Sequence, residues 1–186
     1  NLEFSKSICE KLDPIIAPVT SRLGVATFGY RKFFFDGRSF LLSNNHSWTN
    51  FFLEKFDKKI IPSYESEVNS VVNENKMHCI RVGQPDQHDL FLNALYDFNI
   101  WNTCSFYRKC GDGIEGFHFA STRDNMSVVK EYGNNQLLFE RFSYYFKNKL
   151  YDVINSEDLK KSASPIISPE IFKTPQNGHS QEEQSI

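Results

Sequence analysis

Two stretches of this sequence place large apolar side chains on both sides of an extended backbone, and this restricts the fold more than any other feature. Val25 to Phe35 is rich in β-branched and aromatic residues, with Phe28 and Tyr30 on one side of a strand and Val25, Phe33 and Phe35 on the other. Ile100 to Cys110 sets Ile100, Cys104 and Phe106 against Trp101 and Tyr107 in the same way. A sheet with one wet face alternates polar with apolar residues, so both faces here are expected to be covered. The expectation is an α+β fold, a three-layer α/β/α sandwich around a central, mainly antiparallel sheet of about five strands.

The remaining signals fit helices around such a sheet. Ile8, Leu12, Ile15, Ile16, Val19 and Leu23 recur at helical spacing, with Pro18 expected to kink or break the helix and Gly24 to end it. Asp36-Gly37 is a strong turn dipeptide between Val25–Phe35 and a returning strand from Ser39 to Ser43. Ser47 is the expected N-cap of a helix that starts at Trp48 and ends before Pro62. Ser63 to Lys76 reads equally as a polar helix or a loop. Met77 to Val82 reads as a strand ended by Gly83 and Pro85, and Asp86 to Phe98 as a helix. Gly111-Asp112-Gly113 joins Ile100–Cys110 to a strand from Ile114 to Ser121. A short helix is expected from Asp124 to Gly133. The last and strongest helix is expected from Gln136 to Asn155, with Leu138, Phe142, Tyr145, Phe146, Leu150, Val153 and Ile154 on its apolar face.

After Asn155 the composition turns polar and is punctuated by Ser-Pro and Thr-Pro. Residues 1–155 therefore read as one domain, and 156–186 as a polar linker or disordered tail without a helix-turn-helix. The chain does not begin with Met, so it is expected to be a fragment or a processed form.

Composition narrows the classes of function. The net charge of −2 gives no overall pull toward nucleic acid or an anionic membrane. No stretch approaches the roughly 18 apolar residues of a membrane span, and a cytoplasmic location is expected. The 18 Phe, 8 Tyr and 2 Trp imply a bulky aromatic core, with room for a ring-lined cavity. Cys9, Cys79, Cys104 and Cys110 form no C-x-x-C pair and read as free thiols.

The search for an enzyme finds no catalytic residues, no metal ligands and no cofactor motif. G-x-S-x-G, P-loop, G-x-G-x-x-G and H-E-x-x-H patterns do not occur. The five histidines are dispersed. His118, between Phe117 and Phe119, reads as a hydrogen-bonded sheet residue rather than a ligand or base. Cys79, Cys104 or Cys110 with a distant histidine is the one nucleophile the sequence permits. Around Phe117 to Asn125, either Arg123 or Thr122 stands at a pocket mouth, or Asp124 or Asn125 caps the next helix. Leu137, Tyr144 and Tyr151 lie off the main stripe of the last helix, as either a dimer surface or further core.

The run Trp48-Thr49-Asn50-Phe51-Phe52-Leu53 to Ile61-Pro62 resembles the ligand-binding helix of the N-terminal sensor domain of LuxR-family transcriptional regulators. The order helix, hairpin, tryptophan helix, strand, helix, hairpin, long helix is similar as well, over roughly residues 5 to 155. It looks closest to the divergent LuxR-like sensors of Legionella. The resemblance implies a PAS/GAF-like bacterial sensor whose pocket has Trp48 as its floor. Phe52 stands where the acyl-homoserine-lactone sensors carry Tyr, and Ile61-Pro62 where they carry Asp-Pro. The groups that bond the acyl carbonyl and the amide N–H are therefore missing, and a lactone would leave polar atoms unpaired at about 1–3 kcal/mol each.

The reading that follows is a non-enzymatic sensory domain, without cofactor, that binds an apolar or aromatic small molecule and pairs as a homodimer. The expected pocket residues are Phe28, Tyr30, Leu42, Trp48, Phe52, Ile61, Trp101, Phe106 and Phe119. DNA would be reached only through a helix-turn-helix outside this sequence, and no membrane partner is expected. The alternative is a stand-alone protein-interaction module that kept the fold and filled its pocket.

Overall fold

The Asp36-Gly37 turn forms where its composition places it, with Gly37 at φ 84°, and it joins β1 (Thr27–Phe34) to β2 (Arg38–Ser43) in an antiparallel hairpin. The computed structural model describes residues 2–82 and 88–173. A second hairpin, β4 (Trp101–Cys110) and β5 (Gly113–Ser121), pairs through β5 with β1. Short strands close the two edges, β3 (His78–Arg81) on β4 and β6 (Ser164–Pro165) on β2. The order is β3-β4-β5-β1-β2-β6, six strands rather than five, every pair antiparallel.

Both faces of the sheet are covered, as the strand pattern requires. One face carries α1 (Leu2–Leu23), α5 (Val128–Asn134), α6 (Gln136–Lys149), α7 (Tyr151–Ile154) and α8 (Glu157–Ser162). The other carries α2 (His46–Lys55), α3 (Pro62–Asn73) and α4 (Leu90–Asp97). Strand alternation assigns the side chains. Phe28, Tyr30, Phe40, Leu42, Phe117 and Phe119 point toward α1 and α6, whereas Phe33, Ile114 and Ala120 point toward α2–α4.

Several expectations are corrected. α1 continues through Pro14 and Pro18, so of the kink or break expected at Pro18 the break does not occur. Burial of Leu12, Ile16, Val19 and Leu23 along one stripe outweighs the roughly 3 kcal/mol penalty of each of the two interior prolines. Asn45, not Ser47, caps α2, its Oδ1 accepting from the Trp48 amide at 3.0 Å. Pro62 begins α3 at a first-turn position, where a missing N–H costs nothing, instead of closing the preceding region. The expected apolar face of the last helix holds in part: Phe142, Phe146, Leu150 and Ile154 are buried, but Phe139 and Ser143 are buried in place of Leu138 and Tyr145, which are exposed. The expected end of the 77–82 strand at Gly83 and Pro85 lies outside the described residues.

The segment after Asn155 is packed as far as it is described. Leu159 of α8 is buried against the α1–α6 core, and Ile166 and Ile167 against α3 and the β1–β2 hairpin side. The Ile166 amide donates to Gly37 O at 3.2 Å, and Ile166 O accepts from the Ile61 amide at 2.8 Å. A 3₁₀ helix (Pro169–Phe172) follows, preceded by a bond from the Ser168 amide to Glu65 Oε1 of α3 at 2.8 Å. Sequence punctuation by Ser-Pro marks turns here, not a departure from the fold.

Candidate functional site

A cavity of about 60 Å³ lies between the sheet and the α2–α4 layer. Its floor is the sheet face on which small and polar side chains alternate with the large rings of the opposite face. Thr27 and Gly29 of β1, Ser43 of β2, Thr103 and Ser105 of β4 and Ala120 of β5 supply it. Its walls are Trp48 of α2, Tyr64 and Glu67 of α3, and Phe91 and Leu95 of α4, with Arg81 and His118 at the polar end. The space exists because the floor residues do not reach the helices, leaving a gap that the rings of the walls only partly fill.

Trp48 is fixed by aromatic neighbours. Its ring lies 5.6 Å from those of Phe91 and Phe98 and 6.0 Å from those of Phe51 and Phe52, in tilted or edge-on geometry. The Asn45 cap and the Thr49 hydroxyl, which donates to Asn45 O at 3.0 Å, hold the first turn of α2 over the floor.

The polar end contains three linked groups. Glu67 accepts from Arg81 Nη2 at 2.6 Å and from the Tyr107 hydroxyl. His118 Nδ1 shares a hydrogen with Ser105 Oγ at 2.9 Å, and its buried Nε2 has no partner. Burial, together with the positive charges of Arg31 and Arg81, lowers the His118 pKa to about 3, so the ring is neutral at physiological pH. Burial raises the Tyr64 hydroxyl, with Arg31 opposing, and raises Tyr107 well above the usual phenol value, helped by Glu67.

Arg31 stands behind this end, on the same sheet face two positions from Gly29. It is fully buried, with its guanidinium 4.3 Å from the Phe52 ring centre and 4.6 Å from that of Tyr64. Nη1 donates to Ser39 Oγ at 3.2 Å, while Nε and Nη2 have no hydrogen-bond partner. Burial lowers its pKa, and contact with Tyr64 counteracts this.

The structure divides the expected pocket residues. Trp48 lines the cavity, and Phe52 forms the platform under Arg31. Ile61 is buried at the start of α3 and lines a separate groove of about 330 Å³ with Ile60, Pro62 and Leu90. Phe28, Tyr30, Leu42, Phe106 and Phe119 lie on the opposite sheet face, where they pack with α1 and α6 residues and cannot reach the cavity. Trp101 sits at the sheet end, its ring tilted against that of Tyr96 at 4.1 Å and its Nε1 donating to Tyr96 O, and Arg123 lies 5.1 Å from its ring.

The residues missed are Arg31, Tyr64, Glu67, Arg81, Ser105 and His118. Their signal was the run of small or polar residues between the rings: Thr27 and Gly29 beside Phe28 and Tyr30, Ser105 beside Phe106, His118 beside Phe117 and Phe119. Among the described cysteines, burial disfavours the thiolate of Cys79, Cys104 and Cys110. Burial pushes the Cys104 thiol up to about 12 and Cys110 to about 11, and among the described residues no group of His, Cys, Asp and Glu could hold a metal ion.

No protein-family model matches the sequence, and no curated protein is similar to it. Among solved structures, the chain resembles the N-acylhomoserine lactone dependent LuxR family transcription factor CepR2 from Burkholderia cenocepacia. The TM-score is 0.51 at 12% sequence identity, over 75% of this chain and 84% of that one. The shared feature is the fold, an antiparallel sheet sandwiched between helical layers.

Proposed function

We propose that this chain is the ligand-sensing domain of a LuxR-like transcriptional regulator and binds an aromatic or apolar small molecule between the sheet and the α2–α4 layer. The observation that carries this reading is the cavity beside Trp48, in a fold shared with a ligand-dependent regulator. At about 60 Å³ it is smaller than the roughly 300–1,000 Å³ of ligand pockets, so binding would require the α2–α4 side chains to move outward. Phe52 and Ile61 offer no hydroxyl or carboxylate to an acyl-homoserine lactone, which favours a different ligand. On this reading the domain is cytoplasmic, non-enzymatic and dimeric, with DNA contacted by a helix-turn-helix elsewhere in the regulator. Among the described residues no helix is long and apolar enough to cross a membrane.

Thermal unfolding of the chain against a panel of small aromatics and acyl-homoserine lactones tests the reading. A true ligand at a hundredfold excess over its Kd stabilises by about 2.7 kcal/mol. Stabilisation by an aromatic and none by lactones is expected; lactone binding at low micromolar concentration would reverse the ligand assignment.

A second reading has an observation of its own. Leu137, Tyr144 and Tyr151 of α6 and α7 are 59%, 60% and 65% exposed, which fits an interaction module whose cavity has closed. Ligand binding in the cavity beside Trp48 would remove it, because this reading requires a closed cavity.

A further inference from the structure

Behind the polar end of the cavity lies a buried positive charge that has two aromatic rings and the Ser39 hydroxyl for neighbours but, among the described residues, no carboxylate. Arg31 is fully buried, its Nε and Nη2 lack hydrogen-bond partners, and among the described residues no carboxylate faces it. The nearest acid of the cavity, Glu67, is already engaged by Arg81 and Tyr107. A buried cation without a counter-ion is strongly disfavoured, so such an arrangement is expected where a ligand supplies the missing charge.

Two further groups converge on the same point. Arg31 pairs across the sheet with Gly116, and a Cβ built on Gly116 would lie 2.8 Å from His118 Nε2. The His118 ring therefore folds over Gly116, the cross-strand partner of Arg31, so a second unpartnered buried nitrogen lies on the same part of this sheet face. Tyr64 both lines the cavity and lies 4.6 Å from the guanidinium, so its ring stands at the boundary between the open space and the cation.

We propose that the ligand of this cavity is a small aromatic or apolar carboxylate, seated on the Arg31 guanidinium with His118 Nε2 alongside once the Tyr64 ring swings away. The inference rests on the sensor reading above and specifies its ligand class. The planar fork of arginine matches a carboxylate with two parallel N–H···O bonds. Trp48 and Phe91 provide the apolar walls for the ligand body. The polarity is the reverse of that implied for the lactone sensors: a cation awaiting an acceptor, where those have a carboxylate awaiting an N–H.

The test uses benzoate and its uncharged isostere benzamide as probes, titrated into the whole chain at neutral pH and followed by calorimetry and by the arginine Nε–Hε resonances. Benzoate is expected to bind roughly tenfold or more tightly than benzamide and to shift one Nε–Hε resonance that benzamide leaves in place. Arg31→Met is expected to abolish that preference while folding at least as stably as the parent, because it removes an unpaired buried charge. Equal or tighter binding of benzamide overturns the carboxylate assignment and leaves the sensor reading standing, as when ordered water satisfies Arg31. A benzoate preference that survives in Arg31→Met also overturns it, by placing the anion elsewhere. If neither probe binds at millimolar concentration, the cavity reading itself fails and the proposal with it.

Discussion

Lys147 of α6 places its ammonium 2.7 Å from Oε2 of Glu115, a carboxylate on β5 that is only 4% exposed at its side chain. The same carboxylate accepts from the Tyr30 hydroxyl at 3.0 Å, so one buried acid joins helix, β5 and β1 on the face opposite the cavity. Lys147→Met removes the cation bonded to that carboxylate, with Lys32 and Arg108 as its remaining cross-strand cations, and is expected to destabilise by about 1–2 kcal/mol. Glu115→Gln, which keeps an acceptor for Tyr30, should cost less. Urea denaturation of the two variants orders them, and equal costs would contradict the buried-charge account.

His118 gives the fold a pH dependence of known sign. Its folded pKa of about 3 lies below the ordinary 6.5, so below pH 6.5 the unfolded chain takes up a proton that the native ring refuses. Stability from this group is complete above pH 6.5 and falls as pH drops toward 3, by up to about 1.4 kcal/mol per pH unit. Other carboxylates also titrate at the acid end, so the informative quantity is the difference from His118→Gln. Between pH 6.5 and 4.5 the variant should lose stability less steeply than the parent; parallel curves would show that the ring is not held neutral.

Asn45→Ala is expected to cost about 1 kcal/mol, because it leaves the Trp48 amide without its cap. Ser47→Ala, at an exposed position inside the first turn, should fall within about 0.5 kcal/mol of the parent. Chemical denaturation midpoints separate them, and a larger loss for Ser47→Ala would move the start of α2.

The β4–β5 turn contains two glycines with opposite tolerance. A Cβ on Gly113 would meet Phe33 O at 1.9 Å, a backbone atom of the paired strand β1, whereas nothing lies within 4 Å of one on Gly111. Gly113→Ala should cost more than about 2 kcal/mol or abolish folding, and Gly111→Ala should be nearly neutral. Circular dichroism with thermal melts reads both.

Ile166 is fully buried, far along a segment that reads as linker in sequence. Ile166→Ala is expected to cost about 2–4 kcal/mol, as for a core aliphatic. An unchanged melting temperature would return the segment to the status of a tail.

The sandwich and both hairpins were legible because strand alternation and Asp-Gly turns act locally. Which face held the cavity was not. Phe28, Tyr30 and Phe119 drew attention by size, yet large rings close space, and the room lies where Gly29, Ser105 and Ala120 fail to fill it. Ile100 also changed sides: the strand pairing shifts between Trp101 and Cys104, with Asn102 at φ 48°, so Ile100 joins the α2–α4 core and Cys104 the other. A single irregular residue of this kind leaves no period in the sequence. Arg31 was hidden for a different reason, since a lone arginine in a strand ordinarily points to water. Only the β1 register and the helices above it show that it cannot.

The bonds from Ile61 to Ile166 and from Ser168 to Glu65 tie the C-terminal segment to α3, the helix that carries Tyr64 and Glu67. The same Ile166 amide is anchored to Gly37 in the β1–β2 turn. α3 therefore cannot lift from the sheet without dragging or unfastening residues 166–168. The wall of the cavity and residues 166–168 are thus two ends of one tether, fastened by these bonds.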